Sequence, residues 1–156
     1  MSDMLVNLYE LPKISPHLEK LRNEEVIIRI PIAYEKHKVV EWVRNTFGPG
    51  WASECDVSFS NHPISCFIAT ERGNIVGFAC YDSTCKNFFG PIGIAGQARG
   101  RGIGKALLLA CLQAMAANGY AYAIIGKAHP AEFYARTVGA IEIEGSRPGF
   151  YPDPLK

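Results

Sequence analysis

Three glycines at alternate positions, Gly100, Gly102 and Gly104, stand among Arg99, Arg101, Ile103 and Lys105, where a run of strand-like segments gives way to a helix. Alternating glycines let a backbone take left-handed conformations and come close to another molecule. A helix that begins there points unpaired N–H groups and the positive end of its dipole at the same place. Arg99, Arg101 and Lys105 add charge. The segment reads as an anion site, with a phosphate or pyrophosphate as its natural occupant. It is not a P-loop, which needs glycine where Arg99 stands and serine or threonine where Ala106 stands. It is not a dinucleotide fingerprint either. Counted from Gly100, the sixth position is Lys105 rather than glycine, and that motif belongs on the first strand of a βαβ unit.

The segments on either side define the fold class. Residues 26–30 are β-branched and close at Pro31, which predicts a strand. Residues 33–47 place Val39, Val40, Trp42, Val43 and Phe47 on a helical period, with charges on the other face. Gly48-Pro49-Gly50 ends that helix, and residues 51–61 predict a short helix and loop. Residues 66–71 and 75–82 form a hairpin around Arg72-Gly73-Asn74. Residues 88–95 are a third consecutive strand. Pro91 cannot donate to a ladder, so a bulge or an unpaired stretch is expected at Gly90-Pro91. A helix apolar nearly all round follows from 103 to 118, and Gly119 closes it. Residues 120–125 read as a buried parallel strand. A short helix over 130–138, closed by Gly139, and a last strand over 140–144 complete the order. The class is α/β (α+β), built on one central mixed, mostly antiparallel sheet with helices on its faces. Residues 1–24 read as an N-terminal appendage with a short helix capped by Ser15 ahead of Pro16, leaving 25–156 as the domain.

Composition removes several functions. The 156 residues suit one domain. A net charge of +1, from 16 basic and 15 acidic side chains, argues against a protein that neutralises many nucleic-acid phosphates. No apolar run reaches the roughly 18 residues of a membrane span. The first residues lack the basic and apolar regions of a signal peptide. Five cysteines in no regular framework fit a reduced, cytoplasmic chain. His62, Cys66, Cys80 and Cys85 have a spacing that invites a zinc reading. The cysteines fall mostly on predicted strands, where thiols behave as small hydrophobes, so no metal is expected.

Residues 99–104 match the Q/R-x-x-G-x-G/A pattern of the GNAT superfamily of acyl-CoA-dependent N-acetyltransferases. Residues 133–140 resemble the family's later F-Y-x-x-x-G-F segment. With the element order, the resemblance covers residues 25–144. It implies a GNAT-like sheet whose strands splay at the acyl-CoA site, acetyl-CoA as co-substrate, and no metal. The backbone from Gly100 to Lys105 would hold the pyrophosphate. Ile92, Gly93 and Ile94 would bond the pantetheine arm like an added strand, and an N–H there would polarise the thioester carbonyl. Tyr134 matches the family's usual acid, which protonates the leaving thiolate.

The base is open. Many relatives carry a glutamate on the bulged strand, but residues 88–95 hold no carboxylate. Glu54, Asp56, Asp82 and His129 are the alternatives. Glu54 and Asp56 lie in the segment that usually walls the acceptor pocket, where they would attract a cationic amine or deprotonate it through water. Lys127 stands seven residues before Tyr134, where the family often has asparagine. The implied reaction is direct transfer of an acetyl group to a small-molecule or peptide amine in a ternary complex. The rival reading is a non-catalytic acyl-CoA sensor or partner-binding domain on the same scaffold. Little sequence remains after Glu144 for a regular last strand. The tail, the N-terminal segment or a homodimer would then complete the sheet edge.

Overall fold

A computed structural model describes residues 1–150 and 153–156. Among these residues, strands β1 (Met4–Asn7), β2 (Val26–Arg29), β3 (Cys66–Glu71), β4 (Asn74–Tyr81), β5 (Phe88–Ile94), β6 (Tyr122–Ile125) and β7 (Ile141–Glu142) make one sheet. Their order is β2-β3-β4-β5-β6-β1-β7. All pairs are antiparallel except β5 with β6. Helices α1 (Ser15–Asn23), α4 (Ile103–Ala117) and α5 (Ala131–Val138) pack on one face. Helices α2 (Lys36–Phe47) and α3 (Pro49–Ser58) pack on the other. This is the expected mixed, mostly antiparallel sheet covered on both faces. No helix among the described residues is long and apolar enough to cross a membrane.

Helix α4 is buried nearly all round, as its sequence demands. Leu107, Leu108, Leu109, Cys111, Leu112 and Met115 have no solvent exposure, because the helix lies across β3, β4 and β5 and is covered by α1. The second face is smaller. Val39, Val43, Ala52, Cys55 and Phe78 close it, with Trp42, Phe47 and Trp51 packed around Phe78 as tilted and edge-on rings.

The N-terminal segment departs from the expected appendage. Residues 4–7 are an interior strand, paired with β6 from Met4↔Ile125 to Asn7↔Tyr122 and with β7 on the other side. Met4 and Val6 are buried while Leu5 and Asn7 are not. A four-residue strand is too short to show its period, and its partners lie at the other end of the chain. Ser15 is the first residue of α1 rather than its cap. Ile14 holds the cap position, with no side-chain cap bond. After the two-residue β7, the chain turns back: Asp3 donates its N–H to Ser146 Oγ at 2.9 Å and Arg147 donates to Ser2 Oγ at 2.7 Å. The tail therefore braces the N-terminal strand instead of extending the sheet.

Val6 has 0% exposure, whereas Ile27 on the edge strand has 50%. Val6→Ala is expected to lower stability by about 2 kcal/mol through lost burial and a residual cavity. Ile27→Ala should stay within about 0.5 kcal/mol of the parent. Urea unfolding of both variants checks this, and equal midpoints would place residues 4–7 outside the cooperative core.

Candidate functional site

The glycine turn is built as a helix start. Gly100 and Gly102 have φ of +78° and +84°, a region that side chains disfavour. Gly102 is the N-cap of α4 and accepts the first helical bond, from Ala106 N–H at 3.1 Å. No side chain caps this end, and no acidic residue occupies the first turn. The amides of residues 103–105 therefore stand at an uncapped positive helix end.

The three cations do not act alike. Arg101 turns away from the helix end. It donates to both Glu71 carboxylate oxygens at 3.0 and 3.1 Å and lies 3.6 Å from Glu24. It tethers the turn to the end of β3 and its charge is already matched. This corrects its reading as a free cation of the anion site, leaving only its backbone there. The pair holds the Glu71 carboxyl below its ordinary value, chiefly through the Arg101 hydrogen bond. Lys105 faces α1, where burial, and then Lys105 and Lys20, keep His17 below its ordinary value. Arg99 is exposed, its Nε donating to the Ile94 carbonyl at 3.4 Å. His17 was not singled out in the sequence, since nothing local in it signals the packing of α1 against α4.

The bulge expected at Gly90-Pro91 is present. Ala79 pairs with Ile92 and Tyr81 with Phe89, so β5 carries one residue more than β4 across that interval. Gly90 takes a φ of +118°. On the other side, β5 meets β6 only at Phe88↔Ile124 and Phe89↔Ile125. Beyond Phe89 the two strands part. Ala95 donates its N–H to Val76, and ladder bonds alternate along a strand. Gly93 thus spends its peptide groups on Phe78 of β4, while Ile92 and Ile94 turn theirs into the gap. That corrects the expectation for Gly93, whose contribution is a missing side chain. A Cβ there would sit 2.5 Å from the Phe47 ring. Gly104 faces Ile94 and Phe133, with room for a methyl group.

A cavity of about 450 Å³ opens at this parting. Gly90, Pro91 and Ile92 line one side, Ile125, Gly126 and Lys127 another, and Trp51 and Glu54 of α3 a third. Tyr134 reaches it from α5. Its ring is 5% exposed and packs edge-on against Phe89 and Phe133. Burial raises its phenol to about 12, so it is a protonated donor at any working pH. Glu54 accepts a hydrogen bond from Thr84 Oγ1 at 2.5 Å, which fixes one carboxylate oxygen at the wall.

The other candidates for a base are sorted by position. Asp56 is two residues beyond Glu54, about 200° around the helix, and pairs with Lys36 at 2.7 Å on the outer face. It is not on the cavity wall, which corrects its reading as an acceptor residue. Asp82 is occupied by the Asn87 N–H at 2.7 Å and by the Tyr120 hydroxyl, so it shapes the β4–β5 loop. His129 lines the cavity at its exposed rim. Asp3 and Thr84 also line it and were missed. Asp3 gets there by accepting the Lys127 N–H at 2.8 Å, across the β1–β6 pairing that no local pattern announces.

A sequence profile of the acetyltransferase (GNAT) domain matches residues 62–137, from the hairpin through Tyr134. The sheet order, the parting strands and the uncapped α4 surround that segment. The chain is thus similar to the GNAT superfamily, in sequence over residues 62–137 and in fold over most of its length. Several solved structures share its fold. A glucosamine N-acetyltransferase region of a fungal multi-domain β-N-acetylglucosaminidase superposes with TM-score 0.73 at 15% identity over 91% of this chain. A GCN5-related N-acetyltransferase from Sphaerobacter thermophilus gives 0.71 at 21% identity, and a Drosophila protein 0.63 at 14%, each over 91% of the chain. This chain spans 19%, 48% and 47% of those three chains. No curated protein matches the sequence.

The Arg101–Glu71 tether has a direct readout. Glu71→Gln should speed amide hydrogen exchange at residues 100–102 several-fold while leaving the α4 interior unchanged, because local opening reports local contacts. Unaltered exchange at the turn would mean that the glycines hold their conformation without the pair.

Proposed function

We propose that this chain is an acyl-CoA-dependent N-acetyltransferase that moves an acetyl group from acetyl-CoA to a small-molecule or peptide amine. One observation carries the reading: the β5–β6 parting, with the peptide groups of Ile92 and Ile94 turned into it, joins the uncapped α4 helix end to a cavity holding Glu54 and Tyr134. The pyrophosphate would rest on the N–H groups of the glycine turn and first helical turn. Lys105 and Arg99 would supply charge. The pantetheine arm would lie along Ile92–Ile94 in place of the missing stretch of β6.

The chemistry follows from that placement. The amine nitrogen attacks the thioester carbonyl carbon, and the oxygen gathers negative charge. The Ile92 N–H, which faces the gap at the cavity wall, is positioned to stabilise that charge. The carbon–sulfur bond then breaks and its electron pair leaves on sulfur. The amine must lose one proton and the thiolate must gain one. Glu54 is the group suited to hold an ammonium acceptor and to take its proton, directly or through water. Tyr134 is suited to give the proton to sulfur. A thiolate in an enclosed site is costly, so the burial that raises the phenol also makes the sulfur a stronger base.

Turnover decides between this reading and a binding-only domain. Thiol release from acetyl-CoA should appear with at least one member of a panel of primary amines, aminosugars and peptide N-termini. Acetyl-CoA binding without release for any amine would leave a sensor. With a turning-over amine in hand, Tyr134→Phe keeps the ring and its packing, and should lower kcat roughly 10²-fold with acetyl-CoA affinity nearly unchanged. Tyr134 must be protonated to act, and its pKa of about 12 lies above the working range. Wild-type kcat should therefore show no alkaline fall from this group up to pH 10. Normal kcat in the variant, with chemistry rate-limiting, would take Tyr134 out of the mechanism. Glu54→Gln should raise the acceptor KM far more than that of acetyl-CoA, and equal KM changes would remove Glu54 from the acceptor site.

A further inference from the structure

Three of the cysteines meet on the sheet face covered by α2 and α3, away from the cavity. Cys66 of β3 and Cys80 of β4 are direct Cα partners. At the next position Tyr81 donates its N–H to the Ser65 carbonyl. The cysteine pair thus falls between ladder bonds, where facing Cα atoms approach to about 4.5 Å and side chains are closest. Cys55 comes down from α3. The three sulfur atoms all lie within 4.8 Å of one another. Each residue is fully buried and each is a free thiol. This is not the set that sequence spacing suggested: His62 and Cys85 are outside the group, and Cys55, which the spacing omitted, completes it. The surroundings are apolar, with Val39, Val43, Ala52, Ile68 and Phe78 in the same cluster.

A single core thiol is a small hydrophobe, and Cys111, buried on α4 in the other core, fits that description. Three sulfurs from three elements make a preformed trigonal donor set. Thiolate bonds to a soft ion are about 2.3 Å in the case of zinc, so one centre reaches three sulfurs at this spacing after small side-chain rotations. Net charge selects the occupant. A structural zinc wants four ligands, and no fourth histidine, cysteine or carboxylate joins the group among the described residues. Three thiolates around a divalent ion leave one net negative charge, and around a monovalent ion two, which an apolar core penalises heavily. Three thiolates around a trivalent centre are neutral.

We propose that Cys55, Cys66 and Cys80 form a binding site for a trivalent thiophilic metalloid, with arsenic(III) as its simplest form. Arsenous acid, As(OH)3, is neutral and small enough to enter as the sheet face breathes. Three As–O bonds and three S–H bonds break and three As–S bonds form. The thiol protons leave with the hydroxyl groups as three waters, and no atom changes oxidation state. The product ties α3 to β3 and β4.

The test is titration of the reduced full-length protein with sodium arsenite under nitrogen, read by intact mass and by thermal melting. One arsenic should replace three hydrogens. Tm should rise, because a ligand that prefers the folded state stabilises it. Cys55→Ala should lose the three-sulfur adduct, and Cys85→Ala and Cys111→Ala should keep it. An adduct that retains a hydroxyl group, the mark of two thiols, would overturn the proposal. So would no adduct, a fall in Tm, or an unchanged adduct in Cys55→Ala. If Cys55→Ala does not fold, X-ray absorption at the arsenic edge of the wild-type complex carries the test. Three sulfur neighbours and no oxygen support the site, and any oxygen neighbour contradicts it.

Discussion

The parting of β5 from β6 is the constraint on which the rest of the site depends. Two parallel strands normally continue side by side, each satisfying the peptide groups of the other. Here the pairing stops after Phe89. Pro91 has no N–H to offer a ladder, and the extra residue at Gly90-Pro91 bends β5 away. Beyond the bend, the peptide groups of Ile92 and the N–H of Ile94 face the gap, the Ile94 carbonyl being met by the Arg99 side chain. Such groups are costly to bury unpaired, so the gap must admit water or an extended ligand that bonds like a strand. A linear chain of amide groups, such as a pantetheine arm, meets that demand, and the cavity lies where such an arm would end.

The remaining elements frame the opening. On the far side of β6, the N-terminal strand pairs with it along its whole length. Asp3 ties the end of β6 to that strand through the Lys127 amide. On the near side, Gly93 lets the Phe47 ring come close to β5, which seats the α2–α3 layer whose Glu54 lines the wall. Below, α4 carries the helix end, and Arg101 fastens its entry turn to β3. Arg101 thus contributes order to the turn rather than charge to a ligand. A clamped arginine and an uncapped helix end are complementary: one removes freedom, the other leaves N–H groups to be met.

The legible part of this arrangement was local. The hairpin around Gly73, the bulge at Pro91, the start of α4 at Gly102 and the closure of α5 at Gly139 each follow from residues within a few positions of the event. The family resemblance rested on the same short stretches. What escaped was long-range. The role of residues 4–7 depends on pairing with residues 122–125, and a four-residue strand carries no period to reveal it. Arg101 looked like a phosphate ligand because its partner Glu71 is thirty positions away. Glu54 and Asp56 looked equivalent until the helix put them on opposite sides. The three converging thiols were hidden for the same reason, since Cys55 belongs to a helix and Cys66 and Cys80 to strands.

Acetyl-CoA bound as proposed would lie in the gap between β5 and β6, with its pyrophosphate on the α4 helix start and its acetyl end in the cavity. Amide chemical shifts of isotope-labelled protein titrated with acetyl-CoA test this placement directly. Large, saturable shifts are expected at Ile92, Ile94 and residues 100–105, with the edge strands β2 and β7 little changed. Saturable binding that leaves the amides of Ile92 and Ile94 unmoved would contradict it and place the ligand elsewhere on the fold.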